Sequence, residues 1–221
     1  MKVIVFDTET TTLPRPMIRG TTHVNGRPFI GKGEVIQLTA LVCDENLSIE
    51  KAISFYCKPS EPITDEAFAV HRISNDAIDV LSKGKTFEDY IFHDYKDIFL
   101  RTGNVYVGHN VSFDIKLVNS TLTAFNYPAI NFGTPTNCLD GLREDRNYSL
   151  CTMKVTKEIK GYFKQPKLSE AVKLVGLGDK IDLIYDKVYK DLGLSKSTYH
   201  NADFDTFCTW AVLSKLRSSL Y

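Results

Sequence analysis

The order of apolar and polar positions divides the chain into short β-type runs near its start and longer helical runs after them. Lys2 to Phe6 (KVIVF) is continuous and β-branched, as in a strand covered on both faces. Glu34 to Val42 (EVIQLTALV) and Leu47 to Lys58 (LSIEKAISFYCK) read as two more strands joined by a turn at Asp44, Glu45 and Asn46, which makes a three-stranded antiparallel edge. Pro59 and Pro62 stop that pattern, Thr64 and Asp65 open a short helix to about Val70, and another short helix follows Ser74. From Thr86 to Leu100 the residues Phe87, Tyr90, Ile91, Tyr95, Ile98 and Phe99 recur at helical spacing. Val105 to Val107 is a short buried strand, and Gly108-His109-Asn110 turns into a helix carrying Phe113, Ile115, Leu117, Val118 and Leu122, with Asn110 or Ser112 as its cap. Asn126 to Tyr148 has no period and reads as a long loop or insertion. Ser149 to Val155 reads as a last strand, Leu168 to Val175 as a helix stopped by Gly176, and Asp203 to Leu216 as a strong final helix.

Composition adds bounds to this α/β pattern. A chain of 221 residues with 43% hydrophobic and 24% charged residues is ordinary for one soluble domain with a real core. The five cysteines are scattered with no C-x-x-C pair, which points to reduced thiols in a cytosolic protein rather than a zinc ribbon. No stretch approaches the roughly 18 consecutive apolar residues of a membrane span, and no signal peptide stands at the start, so no membrane partner and a cytoplasmic location are expected, or the host cytoplasm for a phage-encoded chain. The formal net charge of +0 argues against a nonspecific nucleic-acid coat protein and leaves room for an enzyme that works on nucleic acid. Between Thr10 and Gly33 no acidic residue occurs while Arg15, Arg19, His23, Arg27 and Lys32 do, as in a solvated loop or a phosphate-contacting one.

The candidate chemistry begins at "FDTETTTLP", Phe6 to Pro14. Residues i and i+2 of a strand share a face, so Asp7 and Glu9 point at one spot beyond the buried run. Like charges so placed repel unless a cation lies between them, and oxygen ligands of this kind suit Mg²⁺ or Mn²⁺. A turn capped by its Asp and Thr residues answers the same nine residues. In "GHNVSFDIKL", Gly108 to Leu117, Asp114 falls in the first turn of a helix, where an aspartate is also favoured by the helix dipole. In "YHNADFDTF", Tyr199 to Phe207, His200 precedes Asp205 by five residues at the entry to the final helix, and Asp203 competes with Asp205 for the carboxylate role. His200 is a candidate general base.

Taken together, Asp-x-Glu on the first strand, His-Asn-x-x-Phe-Asp at a mid-chain helix start and His-x-x-x-x-Asp on the last helix resemble the three motifs of the DEDDh branch of the DEDD superfamily of 3′→5′ exonucleases. "AVHRIS", Ala69 to Ser74, and "KLSEAVKLVGL", Lys167 to Leu177, are similar to further segments of that branch. The resemblance runs from Val3 to about Leu216. It implies a ribonuclease H-like fold, with a mixed five-stranded sheet containing an antiparallel strand and flanked by helices, as one exonuclease domain over 1–221 with insertions near 15–33 and 126–148. It implies that Asp7, Glu9, Asp114 and Asp205 hold two Mg²⁺ or Mn²⁺ ions and that His200 deprotonates the attacking water. Thr8, Thr10, His109, Asn110 and Phe113 are the implied substrate contacts, Phe113 by stacking on a base and His109 by forming the turn or touching a sugar. Thr12 stands where the branch often has glycine, which bears on how the backbone meets the terminal sugar.

The expected activity is therefore metal-dependent hydrolysis of single-stranded DNA from its 3′ end to nucleoside 5′-monophosphates, in DNA replication or repair. RNA or oligonucleotide trimming is the alternative within enzymes, and a retired module that binds nucleic acid or a protein is the alternative outside them. A polymerase or replication protein is the protein partner this implies, although no polymerase-binding motif or polymerase domain is evident and a stand-alone exonuclease is favoured.

Overall fold

The computed structural model describes residues 1–12, 23–24, 27–28 and 33–220, with no side-chain description for the four residues at 23, 24, 27 and 28. In chain order the elements are β1 (Lys2–Thr10), β2 (His23–Val24), β3 (Arg27–Pro28), β4 (Val35–Cys43), β5 (Ile49–Tyr56), α1 (Asp65–His71), α2 (Asn75–Leu81) and α3 (Phe87–Asp89). A π-helical turn (Tyr90–Asp94) leads to α4 (Lys96–Phe99), β6 (Asn104–Gly108), α5 (Ser112–Ala124), β7 (Thr134–Thr136), β8 (Tyr148–Cys151), α6 (Thr152–Lys160), α7 (Leu168–Leu174), α8 (Lys180–Val188) and α9 (Ala202–Leu216). A 3₁₀ turn, Arg217–Ser219, follows the last helix.

Six strands form one mixed sheet in the order β5-β4-β1-β6-β8-β7, and β2 pairs with β3 apart from it. β5, β4 and β1 are antiparallel as expected, while β6, β8 and β7 run parallel to β1. β1 thus lies in the middle, and its alternation assigns each side chain to a layer. Val3 and Val5 pack with Phe204, Phe207, Val212 and the rest of the α7–α9 side. Ile4 and Phe6 pack with Leu117, Val118 and Leu122 of α5 on the other. Both faces are covered, which is why KVIVF is apolar throughout.

Three expectations are corrected. The segment predicted as a strand from Ser149 to Val155 leaves the sheet at Cys151, and Thr152 opens helix α6, because Thr152, Val155 and Thr156 are buried at helical rather than alternating spacing. The sheet has a sixth strand: Thr134–Thr136, within the segment read as a loop, pairs in parallel with Tyr148–Leu150. Neither Asn110 nor Ser112 caps α5; Val111 occupies that position without a side-chain hydrogen bond. Helix α8, with only Ile181 and Tyr185 buried, carries too narrow an apolar stripe to be read from sequence. The predicted helix from Thr86 to Leu100 is interrupted by its π turn. Of the cationic segment, Arg15, Arg19 and Lys32 lie outside the described residues, and so does Pro14.

β7 docks only because the chain before it comes very close to β8. Gly133 has φ +72° and sits against the Asn147 carbonyl, so a Cβ there would overlap that backbone. Gly133→Ala is expected to lower stability by about 2 kcal/mol or more, from left-handed strain plus displacement of the edge strand. Urea unfolding of the two proteins checks this, and unchanged stability would show that β7 contributes nothing to the folded state.

Candidate active site

The parity that sorts the core of β1 continues past it. Asp7 and Glu9 follow Val3 and Val5 on the α9 side, and Thr8 follows Ile4 and Phe6 on the α5 side. The ligand atoms of Asp7, Glu9 and Asp205 lie within 4.8 Å of one another. Asp114 reaches the site from the other face, in the first turn of α5, where its Oδ1 accepts a 2.7 Å hydrogen bond from the Thr8 hydroxyl. A register shift between Glu9 and Thr10 in the pairing of β1 with β4 marks where the ladder ends and the site begins.

The end of β1 is tied down from several directions. His71, buried at the end of α1, contacts the Thr10 carbonyl through Nε2 at 3.1 Å, while its Nδ1 accepts from the Ile73 N–H at 3.0 Å. These partners require the proton on Nε2, and burial pushes the ring's pKa down, so His71 is a neutral donor. The Thr10 hydroxyl donates to the Thr12 carbonyl at 3.2 Å. Gly33, at φ +80°, leaves room for that pair, since a Cβ would overlap Thr10 Oγ1. His71 lies within AVHRIS, and in the sequence it is a lone histidine at a helix end, the signal that a capping residue also gives.

The two helix entries share a backbone feature. Asn110 and His200 both adopt left-handed conformations, at φ 69° and 67°, which are uncommon outside glycine and enriched at functional turns. His200 is exposed, and its backbone N–H donates to Asp205 Oδ2 at 3.0 Å. Asn110 is exposed and Phe113 half-buried. His109 has both ring nitrogens engaged: Nε2 meets the Pro166 carbonyl at 2.9 Å and Nδ1 the Thr152 hydroxyl at 3.0 Å. These two contacts tie the turn before α5 to the chain at Thr152 and Pro166.

Hydrogen bonding sets Asp203 and Asp205 apart. Asp203 Oδ1 accepts from Thr39 and Ser54 hydroxyls at 2.6 Å each, and Oδ2 from the Ser195 N–H at 2.8 Å and hydroxyl at 2.5 Å. It is a saturated buried carboxylate that fastens the start of α9 to β4 and β5. Asp205 Oδ1 is buried and has no hydrogen-bond partner among the described residues. A bare buried carboxylate oxygen facing two more carboxylates fits a hard, oxygen-seeking divalent cation such as Mg²⁺ or Mn²⁺.

The electrostatics of the carboxylates agree with that fit. Burial, then repulsion from Asp114, Asp205 and Glu9, holds the Asp7 carboxyl well above its ordinary range. Burial and the charges of Asp205 and Asp114 push Glu9 to about 8. Burial raises Asp114 to about 7 against the hydrogen bond from Thr8, and Asp205 to about 7 against the His200 N–H.

A cluster of three carboxylates with a fourth, Asp114, beside it, at the carboxyl edge of a mixed sheet with helices on both faces, is the architecture of ribonuclease H-like nucleases. Residues 4–213 match the sequence model of the family described as Exonuclease (RNase_T). The chain belongs to this exonuclease family, within the DEDD superfamily of 3′→5′ exonucleases. Among solved structures it is similar to Exonuclease X in complex with 5′ overhanging duplex DNA, at TM-score 0.54 and 20% identity over 99% of this chain and 93% of that one. It is also similar to Escherichia coli Exonuclease I in complex with a 5cy-dT13 oligonucleotide, at TM-score 0.62 and 13% identity over 99% of this chain and 40% of that one. The chain therefore spans about two fifths of the Exonuclease I chain. No curated protein matches it in sequence. No helix among the described residues is long and apolar enough to cross a membrane.

Two predictions follow from the contrast between the aspartates and from the raised carboxylates. Asp203→Ala strips four charge-assisted hydrogen bonds and should cost about 3 kcal/mol, lowering Tm by about 6–12 °C, whereas Asp205→Asn should leave metal-free stability equal or higher; calorimetry of both in EDTA decides it. Groups whose folded values are raised bind protons that the unfolded chain releases near pH 4. The contribution of these groups to stability in EDTA should thus fall, by at least about 2 kcal/mol, as pH rises from about 4 and level off once it passes the folded values of about 7 to 8. Millimolar Mg²⁺ or Mn²⁺ should abolish that slope, and Glu9→Gln should flatten it; a melting temperature that ignores both would remove the electrostatic reading.

Proposed function

We propose that the chain is a metal-dependent exonuclease that hydrolyses single-stranded DNA from its 3′ end to nucleoside 5′-monophosphates. The observation that carries the reading is the convergence of Asp7, Glu9 and Asp205 within 4.8 Å around an unpartnered Asp205 oxygen. In this reading Asp7, Glu9, Asp205 and Asp114 hold two divalent cations, which when bound supply positive charge at the entering and leaving oxygens of an in-line displacement at phosphorus. Thr8 positions Asp114 through its hydroxyl. His200, exposed before α9, takes the proton of the attacking water at a ring nitrogen, and its backbone N–H keeps the turn against Asp205. Phe113 stacks on the terminal base, a contact indifferent to sequence. Asn110 and the backbone of Thr8 and Thr10 meet the terminal nucleotide, while His109 holds the turn that presents them. DNA is favoured over RNA because Exonuclease I and Exonuclease X were both solved with DNA. The reading also keeps the whole chain as one exonuclease domain working in the cytoplasm.

The test is product analysis on 3′-labelled and 5′-labelled single-stranded DNA and RNA with Mg²⁺ or Mn²⁺. The expected products are 5′-mononucleotides released from the 3′ end of DNA, at a rate rising from acidic to mildly alkaline pH, because the carboxylates, raised to about 7 and 8, act deprotonated. Asp7→Asn should lose a factor of about 10³ or more, roughly 4 kcal/mol of barrier, and His200→Gln about 10² to 10⁴, both with unchanged far-ultraviolet circular dichroism. Preference for RNA dimers would replace the substrate assignment, cleavage in EDTA would overturn the mechanism, and activity retained by Asp7→Asn would overturn the site.

A further inference from the structure

The acidic centre occupies the carboxyl end of β1, yet the parallel half of the sheet extends past it. Gly108 at the end of β6 pairs with Cys151 at the end of β8, and Thr136 of β7 lies opposite Leu150. The ends of β6, β8 and β7 therefore continue the same carboxyl edge, where open α/β sheets bind their ligands. A hollow of about 390 Å³ opens there against α5, with Ile115, Ile130 and Phe132 on its floor and Lys116 and Lys154 at its rim. That volume falls within the range of sites that enclose small organic groups, roughly 300–1,000 Å³. A second, more open hollow of about 650 Å³ continues from it, sharing Asn137 and Lys154 and adding Lys157, Glu158, Tyr162 and Gln165. The first hollow reaches Val111 and Ser112, at the start of the helix that carries Asp114.

The charge along this course is one-sided. Between Lys154 and Lys167 stand five lysines and a single glutamate, in a chain whose formal net charge is +0. Lys116, Lys154, Lys157 and Lys160 are exposed and make no ion pair among the described residues. Beside them Phe163 is 81% exposed, with its ring 4.8 Å from that of Tyr162. The segment is fixed to the active-site turn, because Thr152 and the Pro166 carbonyl grip the two ring nitrogens of His109.

Free lysines alternating with an apolar hollow and open aromatic rings match a strand whose phosphates are charged and whose bases are unstacked and available. A duplex keeps its bases paired inside and would leave the apolar floor unused. The geometry points to this trough, from Ser112 past Lys116 and Lys154 to Lys157 and Tyr162, as the track for the single-stranded nucleic acid lying 5′ to the terminal nucleotide. This assignment rests on the exonuclease reading above and adds where the uncleaved strand runs. Lys116 and Lys154 meet its phosphates, the Ile115 and Phe132 floor takes a base, and Tyr162 offers the next stacking surface.

The experiment compares wild-type protein, K116Q/K154Q/K157Q and a control of equal charge change on and just beyond α8, K180Q/K187Q/K190Q. Each is assayed with Mg²⁺ on dT12 and on the p-nitrophenyl ester of thymidine 5′-monophosphate, which presents a terminal nucleotide with no upstream strand. The trough variant should raise KM for dT12 at least tenfold with kcat within twofold, and leave ester hydrolysis unchanged. Its log KM should also depend less steeply on log salt, by about 2 in slope for three lost lysines. The control should behave as wild type. Unchanged KM for dT12, an equal rise on the ester, or an equal effect in the control would overturn the track. Should wild type hydrolyse neither substrate, the exonuclease reading fails by itself. The track is then judged by fluorescence anisotropy of labelled dT12, where a tenfold weaker Kd of the trough variant supports it and an unchanged one overturns it.

Discussion

Repulsion among Asp7, Glu9, Asp114 and Asp205 is the constraint around which the molecule is arranged. Left in water these carboxylates would separate; here burial raises all four and neighbouring charge adds to it at Asp7, Glu9 and Asp205, so the fold must hold them together against their own electrostatics. It does so by placing two of them on the strand with least freedom to move. β1 is hydrogen-bonded on both edges, to β4 and β6, and covered on both faces. A strand so confined cannot twist its last residues apart without disturbing two ladders and two core layers.

The helices are fastened at their entry points rather than along their length. α9 is pinned by the four hydrogen bonds on Asp203, two residues before Asp205, whose Oδ1 has no partner among the described residues. α5 is pinned by the Thr8 hydroxyl on Asp114 itself, and the turn before it by His109, gripped from α6 and the chain beyond. Saturated polar groups thus stand directly beside starved ones. The saturated groups supply rigidity, and the starved oxygen is the one open to a hard ligand-seeking ion in the proposed reading.

Much of this was legible along the chain. The β-branched run of Lys2 to Phe6 named a central strand, and its period of two put Asp7 and Glu9 on one face, where they are. The motif order identified a family that the sequence model of residues 4–213 bears out. The α6 helix was hidden because Ser149 to Val155 alternates like a strand, and only the helical burial of Thr152, Val155 and Thr156 separates the two. β7 was hidden because three residues carry no readable period; a partner strand and the close approach at Gly133 define it.

What the sequence by itself determined is the local chemistry: which residue types recur at which spacing, and hence the strand face shared by Asp7 and Glu9 and the helices that Asp114 and Asp205 enter. What only the tertiary structure decided is which of several plausible groups is spent on the fold. Asp203 and Asp205 differ by two positions on one helix, and nothing in YHNADFDTF ranks them. Thr39, Ser54 and Ser195 arrive from distant parts of the chain to satisfy one and leave an oxygen of the other bare. The physical reason is that hydrogen-bond saturation is a property of neighbours in space, whereas periodicity is a property of neighbours in sequence.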